Sequence, residues 1–296
     1  MELCIDFGGT GIKIAVAADD RILSSARLDA RRDAGDLDAA AASARALLAE
    51  AGDAPDAVGI AVPGVVDPDS GRMLHANAKY DAFRDLDLRA WSAAEFGAPA
   101  VVENDARAAL VGETTSGVAA GERDAVLVTL GTGIGTAAQI AGVPLRGRRG
   151  HAGILGGHVT IDRNGPVCPC GNVGCGEALA SSASLAQQSP TGAALTLRDL
   201  FADDAHAGIR DAFLHVWGAT VVTLIHMYDP AVVVLSGGVL RAGDAVRAPL
   251  ESYARAHLWP SVTAPRFLVP PEPELSVARG LSVLARTALS RPQEDQ

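Results

Sequence analysis

The strongest constraint on the fold is a strand–turn–strand unit that occurs twice in the sequence. The first turn, residues 8–11, reads GGTG, and the second, residues 131–135, reads GTGIG. Short apolar stretches flank each turn, as in two antiparallel strands joined by a tight hairpin. Because the copies lie in different halves of a 296-residue chain, they predict an internal duplication and two domains.

The rest of the chain alternates predicted helices with short apolar strands. Alanine-rich residues 36–51 predict a helix that ends at Gly52, and residues 207–228 predict a long apolar helix. Glycine, proline and cysteine predict irregular structure over residues 142–176. The other predicted elements are a helix at 106–116 and strands at 3–7, 12–17, 21–28, 58–62, 101–102, 125–130, 136–140 and 231–235.

The charge of the chain disfavours nucleic-acid partners. Its 25 basic and 35 acidic residues give a net charge of −10, and a negative field repels phosphate backbones. The longest apolar stretch, 216–235, is interrupted by His226, Asp229 and Pro230, so no membrane span is predicted. Neither the basic segment that begins a signal peptide nor a nucleic-acid-binding module is recognisable before the first strand. The expected location is therefore the cytoplasm.

Both glycine-rich turns are candidate phosphate-binding loops. Backbone N–H groups in such turns can approach phosphate oxygens closely, and a threonine hydroxyl adds a donor. Asp6, at the end of the first strand, can hold Mg²⁺ through water. A single turn of this kind is more often an ordinary hairpin. Two such turns can together bind the phosphates of one nucleotide, so the presence of both favours phosphate binding over ordinary hairpins.

A cluster of cysteines and one histidine predicts a zinc site. Cys168, Cys170 and Cys175 lie within eight residues, and His158 lies ten positions upstream. Three thiolates and one imidazole complete a tetrahedral structural Zn²⁺ site. Free thiols in a loop are the alternative. Cys4 falls in the first strand and is expected to be a buried core residue.

Glu103-Asn104-Asp105 follows a short apolar strand and precedes a predicted helix. Ligands gather at such strand ends in α/β folds. Asp105 can accept a proton from a substrate hydroxyl, and Asn104 can orient that hydroxyl. By spacing alone, an ordinary helix N-cap is the more common role for such a pair.

Together these residues resemble the ROK sugar kinases (repressors, open reading frames and kinases) of the actin-like sugar kinase/Hsp70 superfamily. The resemblance runs from Leu3 to about Leu289. Its motifs occur in the family's order: DFGGT at 6–10, PG at 63–64, ENDARAALVGE at 103–113, GTGIG at 131–135, GH at 157–158, CPCGNVGCGE at 168–177 and SGGV at 236–239.

The resemblance implies an α/β, actin-like (ribonuclease H-like) fold of two domains with an interdomain cleft. A small domain would comprise residues 1–106 and a C-terminal helix at about 275–290. A large domain, residues 107–274, would hold the zinc loop and the surface of an expected homodimer.

The resemblance also implies roles for individual residues. Asp105 corresponds to the general base, and His158 to a residue that binds both zinc and sugar. The implied sugar-binding residues are Gly64, Asn77, Asn104, Asp105, His158 and Glu177. The implied nucleotide-binding residues are Asp6, Gly8, Gly9, Thr10 and Lys13 in the first loop, Gly131, Thr132 and Gly133 in the second, and Gly237 and Gly238 beside the adenosine.

The implied reaction is ATP- and Mg²⁺-dependent phosphorylation of a hexose or aminohexose, most often at the 6-hydroxyl of a glucose-like sugar, with Zn²⁺ in a structural role. One position departs from the family pattern AGE-x-GH, because Ile154 or Leu155 stands where a sugar-binding glutamate is usual. This departure weakens the case for plain glucose, and an aminosugar such as kanosamine is a rival substrate, since an ammonium group suits this acidic chain. A non-catalytic sugar-binding protein and a transcriptional regulator are further alternatives.

The basic segment just before this position allows two interpretations. Arg146, Arg148, Arg149 and His151 can contact the substrate, or they can belong to a solvated loop with ordinary surface arginines. The second interpretation is favoured, because exposed arginines are common.

Overall fold

The computed structural model describes residues 1–19, 21–76, 80–188 and 195–289. The chain forms two compact units. The first contains residues 1–121, 146–152 and the described residues from 274 onward, and the second contains residues 122–145 and 153–273. The boundary expected after residue 106 lies inside the first unit. In the part of the chain that is described, no helix is long and apolar enough to span a membrane.

The first unit is built on a five-stranded sheet with helices packed on it. Its strands are β1 (Glu2–Phe7), β2 (Gly11–Ala18), β3 (Arg21–Asp29), β4 (Ala57–Val62), β5 (Val65–Val66), β6 (Met73–His75) and β7 (Ala100–Asn104). Its helices are α1 (Gly35–Ala51), α2 (Leu88–Phe96) and α3 (Asp105–Thr115), with a 3₁₀ turn at Asp81–Asp85. The sheet order is β3-β2-β1-β4-β7, and β5 and β6 form a separate pair.

The second unit repeats this arrangement. Its strands are β8 (Ala125–Leu130), β9 (Ile134–Ile140), β10 (Val143–Pro144), β11 (Val232–Ser236) and β12 (Arg266–Leu268). Its helices are α4 (Gly176–Leu179), α5 (Ser182–Gln188), α6 (Ala207–Tyr228) and α7 (Asp244–His257). The last helix of the chain, α8 (Ser276–Leu289), belongs to the first unit. The sheet order β10-β9-β8-β11-β12 matches that of the first unit strand for strand.

The matching sheet orders agree with the predicted internal duplication. In each sheet two neighbouring pairs are antiparallel, and the two following pairs are parallel. The predicted helix over 207–228 is confirmed at both ends, and α1 ends before Gly52 as predicted. Most of the other predicted boundaries differ by one or two residues; for example, α3 begins at Asp105 and β9 begins at Ile134.

Each unit has its own apolar core. In the first, Phe7 packs edge-on against Phe83 with ring centroids 5.0 Å apart, and Tyr80 lies 4.8 Å from Phe83. These rings fix the end of β1, which carries the first glycine-rich turn. In the second unit, Trp217 of α6 is buried and donates its indole N–H to the Ala180 carbonyl at 2.8 Å. That bond anchors the segment that follows the cysteine cluster.

Helices α3 and α8 pack with their backbones in close contact. A Cβ at Gly280 would overlap the Ala108 carbonyl oxygen, so only glycine allows the helices to approach this closely. Because α3 carries Asp105 at its first turn, this contact also holds a candidate catalytic residue in place.

We predict that Gly280→Ala destabilises the protein by about 1–3 kcal/mol, because overpacking against a backbone oxygen outweighs the better helix propensity of alanine. Urea unfolding measures the change. Gly208→Ala is the matched control, because Gly208 lies in α6 with open space around its Cβ position. That variant should be neutral or slightly stabilised. Equal stability of the two variants would contradict the close packing.

Candidate active site

The first glycine-rich turn connects β1 to β2, and side chains from outside the turn hold it. The Gly8 N–H donates to the Gly11 carbonyl at 3.1 Å, which closes the turn. Tyr80 Oη donates to the Gly8 carbonyl at 3.3 Å, and Arg32 Nε donates to the Gly9 carbonyl at 2.8 Å. The turn remains partly exposed, so a phosphate can approach its backbone.

A buried carboxylate lies at the end of β1, directly before this turn. Asp6 is 4% exposed, and its Oδ2 accepts a hydrogen bond from Lys13 Nζ at 3.0 Å. Its Oδ1 makes no hydrogen bond with the described residues. Burial raises the pKa of Asp6 above its ordinary 3.8, and Lys13 offsets part of this effect. The hydration shell of Mg²⁺ supplies donors for such an oxygen, so the site fits that ion.

Asn104 ends β7, caps α3 and orients the residue that follows it. Its Oδ1 accepts the Arg107 N–H at 3.0 Å, as an N-cap does. Its Nδ2 donates to the Gly64 carbonyl at 2.9 Å and to Asp105 Oδ1 at 3.0 Å. The Ala106 N–H donates to the same Asp105 oxygen at 2.8 Å. The segment therefore caps the helix and at the same time fixes a partly buried carboxylate.

Glu103 forms a buried ion network that sequence reasoning missed. Its Oε1 accepts hydrogen bonds from Arg107 Nη1 at 2.6 Å and from the Asn104 N–H at 2.8 Å. Its Oε2 accepts two bonds from Arg146, at 2.6 and 3.0 Å. Burial lowers the pKa of Arg107, and the Glu103 charge opposes this effect. The network thus holds the backbone N–H of Asn104, the residue that orients Asp105.

The favoured interpretation of the basic segment is wrong for Arg146, which pairs with a buried carboxylate rather than with solvent. Arg148, Arg149 and His151 are exposed, as in a solvated loop.

Arg107 also bonds to the backbone of this segment: its Nη2 donates to the Gly150 and Ala152 carbonyls, at 2.9 and 3.1 Å. The spacing of four residues between Glu103 and Arg107 was a local signal for their pairing. Arg146 lies 43 residues away and left no such signal.

The second glycine-rich turn connects β8 to β9 and is shorter than predicted. The Gly131 N–H donates to the Gly133 carbonyl at 3.0 Å, so the turn closes within three residues and β9 begins at Ile134. Gly237 and Gly238 follow β11, which pairs in parallel with β8. They therefore lie at the same edge of the sheet as the second turn.

The four predicted zinc ligands come together. Their candidate ligand atoms all lie within 4.8 Å of one another. Cys168 Sγ is 3.6 Å from His158 Nδ1, and Cys170 Sγ is 3.7 Å from Cys175 Sγ. In a tetrahedral site with Zn–S bonds of about 2.3 Å and Zn–N bonds of about 2.0–2.1 Å, such atoms lie about 3.6–3.8 Å apart. The cluster therefore fits Zn²⁺.

The cluster alone does not hold the Cys175 thiol in the ionised form that zinc needs. Burial raises the pKa of Cys175 to about 12, and hydrogen bonds with the neighbouring cysteines add to the effect. A bound Zn²⁺ reverses this preference for the protonated thiol, because the ion binds thiolates and so displaces their protons. Cys4 lies apart in β1, where burial also raises the pKa of its thiol, as expected for a core residue.

Glu177 follows the cluster and contacts the second turn. Its Oε2 accepts the Ile134 N–H at 2.8 Å. The Gly176 N–H donates to the Val159 carbonyl at 3.1 Å, which joins this segment to the one that carries His158. The predicted zinc ligands and the second turn are thus parts of one local structure.

The comparisons with known proteins agree with these features. A model of the ROK family matches residues 2–288, nearly the whole sequence. The chain belongs to the ROK family. The glucokinase of Thermotoga maritima is 31% identical over 284 residues, which span 87% of this chain and 88% of that protein. The xylose repressor of Bacillus spizizenii is 29% identical over 219 residues, 72% of this chain and 56% of the repressor.

A solved ROK structure confirms the fold. The ROK family glucokinase of Streptomyces griseus, determined in complex with glucose and AMPPNP, matches with a TM-score of 0.82 at 28% identity. The match covers 97% of this chain and 99% of that one. The α/β, actin-like two-domain fold expected from the motifs is therefore confirmed.

Within this ROK chain, the predicted site residues form two groups. The first unit brings together Gly64, Asn104 and Asp105, with Asp6 near the end of β1 and Lys13 opposite it in β2. The second unit brings together Glu177, the second turn and the cysteine–histidine cluster. Asn77 lies outside the described residues.

We predict that Asp6→Asn raises thermal stability at pH 7 while it weakens Mg²⁺-dependent turnover. Because the pKa of Asp6 is raised in the folded protein, the protonated form favours folding, and this contribution is lost as pH rises through that pKa. The ionised carboxylate therefore costs stability at neutral pH. Melting temperatures of both proteins between pH 4 and pH 8 should diverge as pH increases. A constant or shrinking difference would contradict the prediction.

We predict that the protein binds about one zinc ion per chain. Cys175→Ser should lose most of this metal and melt at a lower temperature, because a structural zinc contributes folding energy. Metal analysis by mass spectrometry and thermal melting measure both effects. Cys4→Ala is the control, since Cys4 lies outside the cluster, and it should keep its zinc. Equal zinc in Cys175→Ser and wild type would rule out this ligand set.

Proposed function

We propose that this chain transfers the γ-phosphoryl group of ATP to a hydroxyl of a hexose or aminohexose, in the first instance the 6-hydroxyl of a glucose-like sugar. Membership of the ROK family and the similarity to glucokinases over almost the whole chain support a sugar kinase. The observation that carries the proposal is the carboxylate of Asp105, which Asn104 Nδ2 and the Ala106 N–H hold in one orientation.

Asp105 is the proposed general base. Phosphoryl transfer has a loose transition state, so catalysis consists mostly of in-line positioning and charge neutralisation. The attacking hydroxyl needs to lose its proton only late, and an ordinary carboxylate is basic enough for that. A carboxylate fixed by two donors keeps its position as the proton moves, which lowers the cost of reorganisation.

The two glycine-rich turns are the proposed phosphate-binding loops. Backbone N–H groups of both turns would donate to phosphate oxygens, with Gly237 and Gly238 beside the adenosine. Mg²⁺ neutralises phosphate charge when it is bound. Asp6 would hold the hydrated ion through its unpaired Oδ1, while Lys13 fixes the other carboxylate oxygen.

The sugar-binding residues leave the choice of sugar open between a glucose-like hexose and an aminohexose. Gly64 and Asn104 in the first unit and His158 and Glu177 in the second are the proposed hydrogen-bonding groups. The usual glutamate before the GH motif is absent: Ile154 is buried, and Leu155 is 41% exposed. Neither side chain accepts a hydrogen bond, so a sugar that relies on that glutamate should bind less well here.

We predict that the protein releases ADP from Mg-ATP with one or more of glucose, mannose, N-acetylmannosamine, fructose, glucosamine and kanosamine. Asp105→Asn should lower the turnover number by roughly 10²–10⁴-fold without lowering the melting temperature by more than a few degrees. The control is Asp85→Asn, which removes an exposed carboxylate of the same unit and should keep full activity.

The outcomes separate the alternatives. Turnover that survives in Asp105→Asn would exclude this residue as the base. Sugar binding by calorimetry without any ADP release would favour a non-catalytic sugar-binding protein. Preference for kanosamine or glucosamine over glucose would select the aminosugar kinase.

A further inference from the structure

One segment, residues 175–182, holds the second glycine-rich turn at both ends. At the exit of the turn, Glu177 Oε2 accepts the Ile134 N–H at 2.8 Å. At its entry, the Gly131 carbonyl accepts two bonds from Ser182, one from the backbone N–H and one from Oγ, both at 3.1 Å. The turn residues between these contacts, Thr132 and Gly133, supply the N–H groups that a phosphate can use.

The approach of Glu177 to the turn explains the glycine at position 133. A Cβ at this position would overlap Glu177 Oε2, so any other residue would push the carboxylate away from the turn. A carboxylate beside a phosphate loop also repels the ligand. The bond from the Ile134 N–H to this carboxylate fixes the turn, so the two effects act in opposite directions on phosphate binding.

The segment that carries His158 contacts β9, the strand that follows the second turn. The Gly156 N–H donates to Thr136 Oγ1 at 2.9 Å, and Thr136 Oγ1 donates to the Gly153 carbonyl at 2.8 Å. Thr136 lies two residues beyond Ile134 in β9. Both segments that supply metal ligands therefore rest on the strand that leaves the turn.

We propose that Glu177 and Ser182 are positioning residues for the nucleotide: they fix the second turn in its phosphate-binding conformation, and the cysteine–histidine cluster holds Glu177 in place for this task. The inference rests on the proposed function, since it assigns the phosphates of Mg-ADP and Mg-ATP to this turn. It adds a nucleotide-side role to Glu177, beside its proposed contact with the sugar.

The test is calorimetric binding of Mg-ADP to zinc-loaded protein without sugar. Glu177→Ala removes the acceptor and should weaken binding about tenfold, the order expected for loss of a hydrogen bond to a charged group. Glu177→Gln keeps an acceptor of the same length and should stay within about threefold of wild type. Ser182→Ala removes one of two bonds to Gly131 and should weaken binding about threefold.

Two controls separate positioning from misfolding. Glu251→Gln removes a carboxylate on α7 of the same unit, where it pairs with Arg247 and Arg255, and should bind Mg-ADP like wild type. Amide hydrogen exchange of the ligand-free variants should be faster over residues 131–135 in Glu177→Ala and unchanged over β11. Faster exchange throughout the second unit would instead indicate general destabilisation and would contradict the inference.

The failures are distinguishable. If wild-type protein does not bind Mg-ADP, the proposed function fails and this inference fails with it. If wild type binds and Glu177→Ala binds within twofold of it, or if Glu177→Gln is as weak as Glu177→Ala, the inference alone is overturned. Loss of sugar affinity in Glu177→Ala with unchanged Mg-ADP affinity would likewise limit this residue to the sugar.

Discussion

Parallel pairing of β1, β4 and β7 is the constraint on which the site in the first unit depends. Asp6 lies opposite Ala61, and Ala61 lies opposite Glu103, so the three strands end at one edge. Ligands of α/β folds bind at the carboxyl ends of parallel strands, where polar residues can leave the sheet without breaking it. The second unit repeats the geometry, because β11 pairs in parallel with β8 and brings residues 237–238 beside the second turn.

Two buried carboxylates at this edge differ in how fully they are bonded. Taking a carboxylate out of water costs several kcal/mol, so such a group persists where it is paired or where it has a chemical role. Glu103 is saturated by two arginines and a backbone N–H. Asp6 has one cation and one oxygen without a partner among the described residues. The first is a structural group that fixes Asn104, and the second is suited to an ion.

Much of the candidate site was predictable because its functional residues lie close together along the chain. Three cysteines within eight residues need only a local chain reversal to converge, and His158 joins them through one pairing between Thr160 and Cys175. The glycine-rich turns were likewise identified from their flanking strands. The early start of β9 was missed, since the hydrogen bond from Gly131 to Gly133 closes the turn sooner than the pattern of apolar residues suggests.

The sequence by itself determined most of the strands, the two turns, the cysteine–histidine cluster and the family to which the chain belongs. All of these depend on periodicity or on residues close together along the chain. Only the tertiary structure decided which distant groups meet. Arg146 pairs with Glu103, and Glu177 bonds to Ile134, each across 43 residues. Such contacts follow from strand order and helix packing, which set distances that no local pattern of residues encodes.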